Sequence, residues 1–335
     1  MSAWADKAKE ATGSKERAAF VTLAQNRDLD DLLDTVRSFE DRFNHKFHYD
    51  WVFLNEEPFD EEFKDVMTSL ISGNVKFGVI PKEHWSYPEW IDQEKAAERR
   101  KQMQEEGVFY GDKESYRHMC RFESGFFFQH PLMQEYRYYW RVEPSTRMFC
   151  DVEYDVFKFM RTNKKKYGWT ISITEFRNTI PTLWNHTVDF IKQHPDYVHP
   201  NALENFVRDK DDRSEYNLCH YWTNFEIADM DFWRGQVYQD YFNYLDHQGG
   251  FFYERWGDAP VHSIAVSLFM DRDEVHFFDD IGYEHPPFNH CPAFQKEKNL
   301  KCHCLPKKSF DWHESSCLRV YNEAKGITPP PDYHD

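Results

Sequence analysis

The sequence predicts an α/β protein with a mixed, mostly parallel central sheet flanked by helices. Two observations carry that expectation. Apolar runs of strand length at residues 18–24, 51–54 and 75–80 alternate with segments of helical period at 29–43 and 59–71. Strand, helix, strand, helix, strand demands right-handed crossovers, which lay successive strands parallel.

Each element has a local reason. The first run ends at Gln25-Asn26-Arg27-Asp28, as a buried strand entering a loop does. Leu29, Leu32, Leu33, Val36, Phe39 and Phe43 then recur at helical spacing, with Asp28 placed to cap them. The second helix stops near Gly73. Residues 89–104 form a charged, solvated helix. Residues 110–122 mix cations and rings, and read either as a helix with an aromatic face or as part of a site. A strand at 138–142 leads into Glu143-Pro144-Ser145, where the proline removes a backbone donor and turns the chain out. Further strands are expected at 169–173, 217–224 and 275–278, and a helix at 176–192. Another helix runs from about 229 to 246, closed by Gln248-Gly249-Gly250. Gly257-Asp258-Ala259-Pro260 opens the next helix, and residues 283–288 read as a rigid loop. Residues 1–17 read as a linker and 18–335 as a single domain.

The net charge of -17 argues against a nucleic-acid backbone or an anionic membrane surface as the main partner. No run of about 18 apolar residues is present to span a bilayer. There is no GxGxxG and no Walker A sequence, which argues against a dinucleotide enzyme or a P-loop ATPase.

Carboxylates gather among rings at residues 216–266. Glu226, Asp229, Asp231, Glu254 and Asp258 are interleaved with Trp222, Trp233 and Trp256. Acids bind hydroxyls, hold a metal or meet a developing positive charge, while rings stack on apolar sugar faces. The plain alternative is core aromatics with solvated acids, and Asp258 at a helix start reads equally as a cap. No D-x-D pair follows the 138–142 strand. Asp229-Met230-Asp231 has that spelling elsewhere in the chain, while Glu143, Asp151 and Glu153 are the acids near the strand end.

The segment YNLCHYWTNFEIADMDFWR, followed by GGFFYERWGDAPVHSIA, resembles the fungal α-1,2-mannosyltransferase family. The likeness runs from about residue 18 to the C-terminus and is strongest over 138–288. It implies a GT-A-like, Rossmann-type glycosyltransferase fold, with a nucleotide side over about 18–150 and an acceptor and catalytic side over about 151–335. It implies GDP-mannose as donor, a mannose-terminated glycan or mannan as acceptor, and Mn²⁺ held by Glu143 and His285. Glu226 would face the anomeric carbon, with Tyr116 close to donor and acceptor. Asn26, Arg27, Arg141, Tyr221, Trp222, Asn224, Arg255 and Asp258 would bind donor or acceptor. Here Ala24-Gln25-Asn26 stands where family members commonly have Ala-Arg-Asn. Relatives are Golgi enzymes anchored by an N-terminal helix, so this chain corresponds to their lumenal part. Retention of configuration leaves double displacement through Glu226 and same-face attack both open. A glycoside hydrolase using Glu226 and Glu254, or a mannan-binding protein without catalysis, are the competing readings.

Seven cysteines are present, four of them at Cys291, Cys302, Cys304 and Cys317. The C-x-C spacing is tighter than zinc sites use, so at least one disulfide is expected in this cluster. An odd count leaves at least one thiol unpaired or shared between chains.

Overall fold

The computed structural model describes residues 15–328, so most of the expected linker lies outside the described residues. The strands in chain order are β1 (Ala18–Leu23), β2 (Asp50–Asn55), β3 (Val75–Val79), β4 (Tyr138–Arg141), β5 (Arg147–Met148) and β6 (Tyr167–Trp169). They continue as β7 (Ser172–Thr174), β8 (Cys219–Tyr221), β9 (Glu226–Asp229), β10 (Val275–Phe277), β11 (Tyr283–His285) and β12 (Phe288–His290). The central sheet has the order β10-β6-β9-β4-β1-β2-β3. β9 alone runs against its neighbours β4 and β6; all other pairings in that sheet are parallel. This is the mixed, mostly parallel sheet that the alternating pattern predicts.

The first two helices, Leu29–Phe39 and Glu61–Leu70, bury the stripes expected of them. Leu32, Val36 and Phe39 pack on the sheet from one helix, Phe63 and Met67 from the other. Phe20 on β1 stacks on Trp51 of β2 at 4.5 Å. Alternation along β4 sends Tyr138 and Trp140 to this face and Tyr139 to the opposite core. The second core is filled by the Glu114–Gly125, Gln236–Gln248 and Asp258–Phe269 helices.

Several local expectations are corrected. Asp28 occupies the N-cap position, but its carboxylate accepts from the Gln25 backbone at 2.7 Å instead of capping the helix. The run at 169–173 is two strands, because the chain turns at Thr170 and Ile171. β6 stays in the central sheet and β7 pairs with β8. The helix expected from 229 starts after β9, as Met230–Trp233, and resumes at Gln236–Gln248 beyond Gly235. Gly249 ends it at φ 77°, as a C-cap glycine should. Asp258 is the first helical residue and Gly257 the cap. The loop at 283–288 is a hairpin, β11 and β12, turning at a cis Pro286–Pro287 bond.

All four clustered cysteines are bridged, but only Cys291–Cys304 closes within the cluster. Cys302 reaches Cys150 and Cys317 reaches Cys219. Cys120 is the free thiol among the described residues, and it is buried.

Candidate active site

The parallel strands β1, β2 and β4 end at one edge of the sheet, at Leu23, Asn55 and Arg141. β9 runs the other way, so its first residue, Glu226, arrives at the same edge. Arg141 and Glu226 are register partners there. Open sheets bind ligands at this carboxyl edge.

Two cavities meet at that edge. The smaller, about 290 Å³, is lined by Leu23, Gln25, Arg27, Asp28 and Asn55. The larger, about 550 Å³, is lined by Arg141, Glu143, Trp222, Asn224, Arg255, Asp258 and His285. Tyr110, Tyr116 and Met119 belong to both. The start of the Glu114–Gly125 helix therefore separates and joins the two spaces.

Arg141 organises the larger cavity. Its Nη1 donates to Asp258 Oδ2 at 2.6 Å, and its Nη2 donates to Glu143. Thr223 donates its hydroxyl to the same Asp258 oxygen at 2.7 Å. Glu123 lies 3.7 Å from Arg141 Nη1. Removing several charges from water is costly unless they are paired, and one guanidinium here faces three acids. Burial pushes Glu143 up, but Arg141 and His285 outweigh it and hold the carboxyl at about 2. Burial likewise raises Asp258, and Arg141 and His262 outweigh it, so its pKa falls below the usual range. Burial dominates at Glu123, whose carboxyl is pushed up to about 7.

His285 Nε2 lies 3.5 Å from Glu143 Oε2. Its Nδ1 is 3.0 Å from the Pro286 carbonyl, which only accepts. Nδ1 therefore carries the proton, and in the neutral ring the Nε2 lone pair points toward Glu143. The Trp222 ring sits 4.9 Å from the His285 ring. Tyr283 donates its hydroxyl to Asn224 Oδ1 at 3.0 Å and fixes that side chain.

Glu226 does not reach the cavity wall. It is fully buried, and its oxygens accept from Tyr139 at 2.8 Å, Tyr167 at 2.9 Å and His262 Nδ1 at 2.9 Å. Trp233 Nε1 donates to the Tyr139 hydroxyl at 3.0 Å, and its ring lies 4.2 Å from His262. Burial would lower the His262 pKa; Glu226 outweighs it and raises it. His262, Tyr139, Tyr167 and Thr223 were not singled out in the sequence. One signal was present: His262 follows Asp258 by four residues, which puts both on one helix face.

Tyr221 does not reach the cavity either. Strand alternation turns His220 and Trp222 to the cavity and Tyr221 into the core, where it stacks on Phe206 at 4.4 Å. Asn26 lines neither cavity; its amide bonds the Pro58 carbonyl and the Asp60 backbone. The alternative acids are all committed elsewhere. Asp151 pairs with Arg42 and Glu153 with Lys46. Asp229 lies at the far end of β9, paired with Arg137 and accepting from the Asp231 backbone. Glu254 accepts from Thr182 and Trp256.

The family profile described as glycolipid 2-alpha-mannosyltransferase matches residues 1–326. The alpha-1,2 mannosyltransferase KTR1 of Saccharomyces cerevisiae is 57% identical over 97% of this chain and 82% of its own length. The O-glycoside alpha-1,2-mannosyltransferase omh1 of Schizosaccharomyces pombe is 56% identical over 94% of this chain and 80% of its own. Among solved structures, core-mannan synthase A from Aspergillus fumigatus, in a Mn/GDP form, superposes with a TM-score of 0.89. It is 42% identical, covering 95% of this chain and 87% of that one. The chain therefore belongs to the glycolipid 2-alpha-mannosyltransferase family, and it is a glycosyltransferase with α-1,2-mannosyltransferase activity and a GT-A-like fold.

Proposed function

We propose that the chain moves mannose from GDP-mannose to a terminal α-mannose of a glycoprotein glycan or mannan, with retention and with Mn²⁺. The observation that carries this reading is the approach of His285 Nε2 and Glu143 Oε2 to 3.5 Å on a cavity that adjoins a second space of about 290 Å³. Among the described residues, no group of three or more His, Cys, Asp or Glu offers a complete cation site. Glu143 and His285 would supply two ligands and leave the others to diphosphate oxygens and water. Imidazole with carboxylate suits Mn²⁺ better than Mg²⁺. When bound, the ion offsets charge on the diphosphate leaving group.

The chain's own groups do the rest. The smaller cavity, with Arg27 at its edge, takes the nucleotide. Residues 18–150 supply most of that side, and 151–335 most of the acceptor side. Trp222 offers a ring to a sugar face. Asn224, with its oxygen taken by Tyr283, has its NH₂ left to donate to a sugar hydroxyl. Asp258 Oδ2 serves Arg141 and Thr223, which leaves Oδ1 to accept from a hydroxyl. The sealed position of Glu226 favours same-face attack over double displacement. The bond from the anomeric carbon to phosphate breaks as the acceptor oxygen bonds that carbon, and the hydroxyl proton passes to the departing phosphate. Glu226 then acts as a buried negative charge beneath an oxocarbenium-like state. Three disulfides fit an oxidising compartment, in keeping with the Golgi lumen.

The test is turnover of GDP-mannose with methyl α-mannoside, with the product linkage read by NMR. An α-1,2 product that disappears with chelator is expected. Hydrolysis of mannosides without nucleotide would replace this reading with the hydrolase.

A further inference from the structure

Among the described residues, five aromatic side chains are left exposed: Trp90, Phe109, Tyr110, Phe176 and Phe294. Three of them, Phe109, Tyr110 and Phe176, line the one cavity that holds Glu143, Asp258 and His285. Phe109 is 61% exposed and Phe176 63%. Such rings gain nothing for the core, and exposed apolar groups gathered at a cleft mark a contact surface.

The Phe176 ring is presented on a hydrogen-bonded turn, and Phe109 leans on neighbouring rings. The Phe176 N–H donates to Glu175 Oε1 at 2.8 Å, and its carbonyl accepts from the Thr179 hydroxyl at 2.6 Å. The Thr179 carbonyl accepts in turn from the Arg255 N–H at 2.9 Å, which fastens this turn to the cavity wall. Phe109 leans on Tyr110 at 4.0 Å, and Tyr110 on Tyr116 at 5.0 Å. Tyr110 holds a left-handed backbone at φ 56°, a conformation that costs energy for a residue with a side chain. A row of rings thus leads from solvent to Tyr116, where the two cavities join.

We propose that Phe109 and Phe176 form a stacking platform for the acceptor's penultimate sugar, the residue next to the mannose being extended. This rests on the acceptor reading given above. The ligand is a neutral pyranose, because a ring offers its face to C–H bonds and Arg255 is already paired with Glu175. The nucleotide base is not the occupant, because Phe109 and Phe176 line the larger cavity and not the smaller. A one-sugar acceptor would fill the inner space and leave the platform empty. A two-sugar acceptor would cover it.

The test compares methyl α-mannoside with α-1,2-mannobiose in Phe109→Ala, Phe176→Ala and Phe176→Tyr. We expect the alanine variants to raise KM for the disaccharide about five- to tenfold, the worth of one aromatic contact. KM for the monosaccharide, KM for GDP-mannose and kcat should not move, and Phe176→Tyr should behave as wild type. Equal losses on both acceptors, a changed KM for GDP-mannose, or no change at all would overturn the platform. Wild type that transfers to neither acceptor would sink the transferase reading instead. Calorimetric titration of mannobiose onto wild type and Phe176→Ala then decides the platform by itself: weaker binding in the variant supports it and equal binding removes it.

Discussion

Arg141 and Glu226 are register partners on the antiparallel strands β4 and β9, yet they belong to different environments. Arg141 lines an open cavity, and Glu226 is sealed beneath it by two tyrosines and a histidine. In the proposed reaction the positive member faces the ligand space, while the negative member acts through the field it sets up. Glu226→Gln is expected to keep the fold and GDP-mannose affinity and to lose ~10²–10⁴ in kcat, or ~3–5.5 kcal/mol. Denaturing mass spectrometry of wild type with GDP-mannose alone should find no mannosyl ester on Glu226. A trapped ester would restore double displacement.

The proposed metal site gives a binding prediction. His285→Ala should abolish the Mn²⁺-dependent part of GDP binding, and Glu143→Ala should weaken it. Stabilisation by GDP with Mn²⁺ is the readout, about 2.7 kcal/mol at 100 times the dissociation constant. Full stabilisation of His285→Ala would remove this histidine from the metal.

Glu123 gives a pH prediction. Its carboxyl is raised in the folded state to about 7 from the ordinary 4.5. A raised pKa stabilises the fold below the unfolded value, and that contribution is lost as pH rises through the folded one. Wild type should therefore lose stability between about pH 4.5 and 7 relative to Glu123→Gln, measured by urea unfolding. Parallel curves across that window would show that Glu123 is charged throughout.

The disulfides differ in what they restrain. Cys150–Cys302 spans 152 residues and Cys291–Cys304 spans 13. Loop entropy makes the long bridge worth up to about 2 kcal/mol more, and the other bridges reduce that margin by shortening the loop. Replacing Cys150 and Cys302 by serine should lower Tm more than replacing Cys291 and Cys304. The opposite order would mean that strain or residual structure outweighs chain entropy.

The sequence by itself determined the sheet-and-helix alternation of residues 18–80. Periodicity is a local property, and it needs no partner to be read. It also carried the family, through a long run of Trp, Tyr, His and Cys around Glu226. Tertiary structure decided what each acid does. Asp229-Met230-Asp231 has the spelling of a metal site, but the antiparallel course of β9 carries it to the far end of the sheet. Asp258 reads in the sequence as a helix cap, but Gly257 takes that position and Arg141 reaches Asp258 from β4. Tyr221 and Trp222 are adjacent in sequence, and strand alternation puts one in the core and the other in the cavity. Cysteine pairing followed the same rule, since Cys150 and Cys219 lie far along the chain from the partners that folding brings to them. A side chain's role depends on what lies opposite it, and in this fold the opposite residue is usually distant in sequence.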